Sequence, residues 1–131
     1  MTIQLSHVCI STSSLHETRR FFEVLFDATV VYESKRNGFH YGTFMKISKN
    51  TFVELFYTEN IIAVDFPIIR HACFSVNDLD PFRTKLKLLG VYWEEKIGAI
   101  DKTKQIMIYG PQGLKIELHN IDSQSLLHPH I

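Results

Sequence analysis

A short signature occurs twice in this chain, and two copies of one structural module are the simplest fold that explains it. Residues 7–11 read HVCIS, and residues 71–75 read HACFS. A glutamate in an apolar run follows each copy, Glu54 in VELF and Glu117 in IELH. The separation is 47 residues from His7 to Glu54 and 46 residues from His71 to Glu117. This matched order predicts a duplicated module whose polar residues converge on one ion.

Hydrophobic periodicity and turn signals predict the order strand, helix, strand, strand, strand in both halves. The first helix is expected to begin at the capping box formed by Ser14 and Glu17, and an Asn-Gly pair at 37–38 indicates a hairpin turn. The second helix is expected to have Asp80 as its N-cap and Pro81 as its first residue, and to end at Gly90. The predicted strands are 3–10, 29–33, 39–47 and 52–57 in the first half and 68–76, 91–97, 103–109 and 114–119 in the second, with the first helix at 14–26.

These elements predict an α+β fold of two βαβββ modules within a single domain. The first module spans 1–57 and the second 68–120, joined by a linker at 58–67. The tail, 121–131, has no hydrophobic period and is expected to be loose. A module of about 60 residues has a marginal core by itself, so we expect the modules to pack against each other or against a second chain.

Composition argues against several classes of partner. The 14 basic residues balance the 14 acidic ones, so no net field favours nucleic acid or an anionic membrane. No apolar run approaches the roughly 20 residues of a membrane span, and polar residues interrupt any signal-peptide core near the N-terminus. Two cysteines do not form the disulfide framework of a small secreted protein. We therefore expect a cytoplasmic protein with neither nucleic acid nor a membrane as its partner.

The four repeated polar residues have the chemistry of metal ligands. His7, Glu54, His71 and Glu117 fall near the centres of predicted strands, where side chains alternate between the two sheet faces. A carboxylate on a partly apolar face is costly unless it is paired or coordinates a cation. Two imidazoles and two carboxylates supply the mixed nitrogen and oxygen ligands that suit Ni, Co, Mn, Fe(II) or Zn. The sequence therefore predicts one divalent ion per site.

Three further residues near these strands are expected to lie outside the ligand shell. Cys9 and Cys73 each follow a proposed histidine by two residues, which is about 6–7 Å along a strand, so they are expected to line the cavity as thiols. His119 lies two residues beyond Glu117 and is expected at the surface.

The pattern resembles the vicinal oxygen chelate superfamily, the fold of glyoxalase I, bleomycin-resistance proteins and extradiol dioxygenases. The resemblance covers about residues 3–119, and its four ligand positions fall on His7, Glu54, His71 and Glu117. The run GPQGLKIEL at 110–118 is similar to the turn and strand that carry the family's last glutamate. The resemblance implies paired βαβββ modules whose curled sheets enclose a metal cup. It also implies a homodimer and a glyoxalase I-like lyase or isomerase that acts on a small-molecule substrate, with Glu117 as the first candidate base and Glu54 as the second.

Departures from the family pattern bear on the substrate. Glutathione-dependent glyoxalases carry an arginine and an asparagine where this chain has Ser11 and Thr58, so strict glutathione dependence is not expected. Glu54 also differs from the second ligand of extradiol dioxygenases and of fosfomycin-type thiol transferases, which makes both branches less apt. The alternatives left open are an epimerase of an α-substituted thioester, similar to methylmalonyl-CoA epimerase, a metal-free resistance protein that sequesters its ligand, and a member that keeps the site without turnover.

Overall fold

The chain divides into two compact units, Met1–Ala63 and Val64–Ile131, and the computed structural model describes residues 2–62 and 64–131. Each unit contains four strands and one α-helix in the predicted order, so the prediction of a two-module α+β fold is confirmed. No α-helix in 2–62 or 64–131 is long and apolar enough to cross a membrane. The elements are β1 His7–Thr12, α1 Leu15–Phe26, β2 Thr29–Arg36, β3 Phe39–Ser48 and β4 Thr51–Tyr57, followed by β5 Ala72–Ser75, α2 Asp80–Leu89, β6 Tyr92–Ile97, β7 Lys104–Tyr109 and β8 Lys115–His119.

The first unit is a four-stranded sheet covered on one face by α1. The strand order is β1-β4-β3-β2, with β1 and β4 parallel and the other neighbours antiparallel. Alternate residues of β3 and β4 point toward α1, and the other residues point to the opposite face. The core of this unit lies between α1 and the sheet, and its largest buried apolar side chains are Phe21, Phe22, Leu25, Met45, Val53 and Leu55. Burying each such side chain contributes roughly 1.5–3 kcal/mol to the stability of the fold.

Local signals in the first unit act as the sequence predicted. The Ser14 hydroxyl accepts a hydrogen bond from the backbone N–H of Glu17 at 3.3 Å, which satisfies one free donor at the start of α1. The turn between β2 and β3 has positive φ at both Asn37 (51°) and Gly38 (77°). This conformation is typical of the tight hairpin turns that Asn-Gly favours. The predicted start of α1 and the hairpin turn are confirmed. The capping box is only half formed, because the backbone N–H of Ser14 donates to Thr12 Oγ1 at 3.0 Å.

The second unit repeats this topology. Its strand order is β5-β8-β7-β6, again with the first pair parallel. Gly90 ends α2 in a left-handed conformation, with φ of 68°, as predicted. The structure corrects the start of α2: its N-cap is Leu79, and the Asp78 carboxylate accepts a hydrogen bond from the backbone N–H of Asp80. The fully buried apolar residues of this unit are Leu86, Ile106, Ile108, Ile116 and Leu118.

Two strands begin four residues later than the sequence predicted. β1 begins at His7 and not at residue 3, while β5 spans 72–75 and not 68–76. The apolar residues that suggested longer strands are exposed, Ile3 at 84% and Ile68 at 104%. In each unit the pairing begins one residue after the start of the parallel partner strand, at Phe52 in β4 and at Ile116 in β8. An apolar alternation therefore overestimated both strands, because a strand needs a neighbour to bond its backbone.

The prediction of a loose tail is wrong. Ser125 is only 4% exposed, and its hydroxyl donates a hydrogen bond to Asp101 Oδ2 at 2.6 Å. The Asp101 carboxylate also accepts from the backbone N–H of Leu126. These hydrogen bonds, that of Ser125 foremost, lower the pKa of Asp101. The tail is therefore held to the loop that precedes β7.

Candidate metal centre

The first unit brings His7 and Glu54 together on the sheet face opposite α1. Parallel pairing places Cys9 directly across from Glu54 and His7 across from Phe52. Because side chains alternate along a strand, these four side chains all point to the same face of the sheet. His7 Nε2 lies 3.9 Å from Glu54 Oε2, and the two side chains are 40% and 34% exposed. The edge of the His7 ring packs against Phe44 at 5.1 Å between centroids. An imidazole and a carboxylate therefore share one partly open surface.

The second unit repeats the pair in a more enclosed setting. His71 lies just before β5, and its Nε2 is 3.3 Å from Glu117 Oε2. The Glu117 side chain is only 10% exposed, while that of His71 is 35% exposed. Lys96 of β6 places its Nζ 3.7 Å from the same oxygen. The sequence gives no signal for Lys96, because only the register of β6, β7 and β8 brings it to Glu117.

Both cysteines contact the glutamate of their own unit. Cys9 Sγ is 3.9 Å from Glu54 Oε1, and Cys73 Sγ is 3.7 Å from Glu117 Oε1. Burial and then the charge of Glu117 raise the pKa of Cys73 to about 12. The same two causes, with Glu54 as the acid, raise the pKa of Cys9. Spacing along one strand could not reveal these contacts, since the glutamate comes from the neighbouring strand.

His119 is buried, which corrects its expected surface position. It is 5% exposed, and its Nε2 lies 2.9 Å from Asp101 Oδ2 and 2.5 Å from Thr103 Oγ1. The lowered pKa of Asp101 keeps this carboxylate ionised at neutral pH. An ionised carboxylate accepts hydrogen bonds only, so the proton of neutral His119 resides on Nε2. The sequence offered no signal for this pair, which joins a loop residue to β8.

The donor chemistry of both units fits a divalent cation. Each unit offers one imidazole nitrogen and one carboxylate oxygen within 4 Å of each other. A carboxylate as buried as Glu117 is costly unless it is paired or coordinates a cation, and its Oε2 lies 3.3 Å from His71 Nε2 and 3.7 Å from the Lys96 ammonium. Nitrogen and oxygen ligands of this kind suit first-row divalent ions.

Comparison with known proteins identifies the family. The sequence profile of the Glyoxalase/Bleomycin resistance protein/Dioxygenase superfamily matches residues 4–118. The chain belongs to this superfamily. The resemblance inferred from the repeated histidines and glutamates is thereby confirmed. No curated protein matches the chain at a significant level.

Solved structures share the fold of this superfamily member. A Glu-to-Gln mutant of the fosfomycin resistance protein FosX from Listeria monocytogenes, in complex with Mn(II) and 1S,2S-dihydroxypropylphosphonic acid, is 21% identical over 100% of both chains, with a TM-score of 0.76. A glyoxalase family protein from Enterococcus faecalis is 23% identical over 89% of this chain and 97% of its own, at 0.76. FosX from Mesorhizobium loti is 22% identical over 94% and 95%, at 0.75. These likenesses establish the fold.

Proposed function

We propose that this superfamily member is a glyoxalase I-like, metal-dependent lyase or isomerase. It would move a proton at a carbon next to a carbonyl, on a substrate chelated through two adjacent oxygens. One observation carries the proposal: each unit brings a histidine and a glutamate within 4 Å on one face of its sheet. A module that only fills space has no need of a repeated imidazole and carboxylate pair.

The proposed ligand set is His7, Glu54, His71 and Glu117, which together would hold one divalent ion, Ni, Co, Mn, Fe or Zn. The two carboxylates balance the two positive charges of such an ion. The site is then close to neutral, so it can accept a neutral or a singly charged substrate. When bound, the ion supplies Lewis-acid stabilisation of the negative charge that develops on the substrate oxygens, worth several kcal/mol.

Proton transfer is assigned to the glutamates, with Glu117 as the first candidate base and Glu54 as the second. A general base is effective when it lies within hydrogen-bond reach of the proton and is shielded from water. Glu117 meets the second condition better, because its side chain is 10% exposed and that of Glu54 is 34% exposed. In this proposal Glu117 takes the proton from the substrate carbon and returns it to the neighbouring carbon.

Two features support a small substrate that combines an anionic group with an apolar part. Lys96 Nζ lies 3.7 Å from Glu117 and would attract a negatively charged group into the same site. The first unit also contains a cavity of about 430 Å³, a volume within the usual range for small ligands. The cavity is lined by Arg36, Asn37, Phe39, Tyr41 and Phe56. Phe56 shares a sheet face with Glu54, which places the cavity on the same face as the proposed ligand.

The FosX likeness favours a second candidate in which the substrate is a small phosphonate. One FosX structure holds Mn(II) and a dihydroxypropylphosphonic acid, a ligand with two adjacent hydroxyls and an anionic group. Lys96 beside Glu117 is the observation on this chain that fits such a ligand. The epimerase and the ligand-sequestering alternatives remain, and the experiment below separates all of them.

The proposal is tested on purified protein by metal analysis and a substrate panel. The protein is expected to hold about one divalent ion per proposed site, to be stabilised by added Ni, Co, Mn or Zn, and to isomerise methylglyoxal with at least one of several thiols. Turnover of an acyl-CoA epimer or of fosfomycin, without methylglyoxal activity, would replace the lyase with the corresponding alternative. Tight fosfomycin or bleomycin binding without metal or turnover would favour sequestration.

Replacing Lys96 by Met is expected to raise KM for an anionic substrate about fivefold, while kcat changes less. One ion pair at a partly exposed position is worth about 1 kcal/mol, and Lys96 is 44% exposed. Steady-state kinetics on Lys96→Met, with Lys87→Met on α2 as the control, provides the measurement. An unchanged KM, or an equal change in the control, would contradict the role given to Lys96.

A further inference from the structure

The second unit contains a group of three side chains whose atoms can bind a metal. Only one of the three, Glu117, belongs to the four-residue ligand set proposed above. The candidate ligand atoms of Cys73, Glu117 and His119 all lie within 4.8 Å of one another. Ligands around a tetrahedral ion of Zn²⁺ size are about 3.3–3.6 Å apart. The observed 3.7 Å between Cys73 Sγ and Glu117 Oε1 is close to that spacing. Small side-chain shifts would therefore close the group around one ion.

Glu117 stands between two different sets of neighbours. Its Oε2 faces His71 at 3.3 Å and Lys96 at 3.7 Å, whereas its Oε1 faces the Cys73 thiol. Parallel pairing of β5 with β8 places Cys73 directly across from Glu117 and Ser75 across from His119. The side of Glu117 that faces the sulfur thus differs chemically from the side that faces His71.

His119 is prepared for coordination by residues outside the group. Asp101 and Thr103 hold its Nε2, so the proton of the neutral ring resides there and the lone pair remains on Nδ1. Histidines that bind metals almost always donate the other ring N–H to a carboxylate, a backbone carbonyl or a water, which fixes the orientation of the ring. His119 is also only 5% exposed, so the orientation of its ring is fixed before any ion binds.

The first unit provides an internal comparison. Cys9 lies across from Glu54 in the same register, with Sγ 3.9 Å from Oε1. The position two residues after this glutamate is Phe56, where the second unit has His119. A phenyl ring offers no lone pair, so this cysteine and glutamate lack the third ligand. The two modules have therefore diverged at one residue that decides whether a three-ligand group exists.

We propose that Cys73, Glu117 and His119 form a thiophilic cation site within the second unit, which takes Zn²⁺ or Co²⁺. Thiolate and imidazole ligands favour these ions over Mn²⁺. Binding converts the Cys73 thiol to a thiolate and releases one proton to solvent, with no change in oxidation state. The site itself does not depend on the proposed function. One consequence does rest on it: because Glu117 belongs to both ligand sets, a thiophilic ion here would compete with the catalytic ion.

Cobalt spectroscopy on the full chain tests this proposal. Metal-free, reduced protein is titrated with Co²⁺, and sulfur-to-cobalt charge-transfer absorption in the near ultraviolet is the expected readout. Cys73→Ser is expected to abolish the band, while Cys9→Ser, the matched thiol of the first unit, and His7→Gln keep it. His119→Gln is expected to weaken Co²⁺ binding at least tenfold. Asp101→Asn, which leaves all three ligands in place, is expected to weaken it about tenfold.

The possible outcomes separate this site from the proposed function. Co²⁺ binding without a sulfur band would overturn the thiophilic site and leave the four-residue set intact. A band that survives Cys73→Ser, or that disappears equally in Cys9→Ser, would also overturn it. No binding of Co²⁺ by the wild-type chain would overturn both proposals. Thermal unfolding of each variant, followed by circular dichroism, confirms that a lost band reflects a lost ligand and not a lost fold.

Discussion

Replacing Glu117 by Gln is expected to reduce kcat/KM at least about a thousandfold and to remove most of the bound metal. The substitution keeps the size of the side chain but deletes the charge that faces His71 at 3.3 Å. A general base contributes about 10²–10⁴ in rate, and metal stabilisation adds several kcal/mol at about 1.4 kcal/mol for each factor of ten. In the proposed mechanism both contributions depend on this one carboxylate. Metal content and steady-state kinetics on the same preparation measure the effect.

Two glutamate variants serve as comparisons for Glu117→Gln. Glu95→Gln, in the same unit, alters an exposed residue that pairs with Arg83, and activity is expected to stay close to that of the wild type. Glu54→Gln should weaken metal binding but reduce activity less than Glu117→Gln, because Glu54 is the more exposed and the second candidate base. Wild-type activity in Glu117→Gln would remove Glu117 from the chemistry. A loss in Glu54→Gln that exceeds the loss in Glu117→Gln would reverse the two assignments.

The order of elements within each module could be predicted because it depends on local signals in the sequence. A capping serine, an Asn-Gly turn and alternating apolar residues act within a few positions, and together they gave the right order of elements, although the alternation placed the starts of β1 and β5 too early. The pairing of His7 with Glu54 could be anticipated only because the same spacing returned in the second half. One copy of such a pattern would have been an ordinary strand histidine and an ordinary strand glutamate.

The features that the sequence did not reveal depend on register and on long-range contacts. Lys96 reaches Glu117 only after β6, β7 and β8 have paired, and no spacing along the chain encodes that register. The Asp101–His119 pair connects a loop to a strand 18 positions away. The tail was predicted to be loose for the same reason, since Ser125 is held by that distant aspartate and not by its neighbours. The predicted starts of β1 and β5 were wrong because the apolar alternation extends beyond the residues that the partner strand can pair with.

Co-refolding two inactive variants, His7→Ala and His71→Ala, is expected to restore about a quarter of wild-type activity. In a homodimer whose sites combine the first unit of one chain with the second unit of its partner, each mixed dimer holds one intact site. Half of the dimers are mixed after random assembly, and one of their two sites is functional. Apolar side chains before each first strand support such an assembly, because Leu5 is 79% exposed and Phe66 is 80% exposed.

A second pair of variants gives this experiment a strict control. His71→Ala mixed with Glu117→Ala should recover nothing, because both changes lie in the second unit and no combination of chains restores it. Recovery in the first mixture and not in the second would establish that one ion is bound by residues of two chains. If dissociation and mixing are verified by mass and neither mixture recovers activity, each site belongs to a single chain. The homodimer would then be unnecessary for metal binding, and the exposed apolar residues would need another explanation.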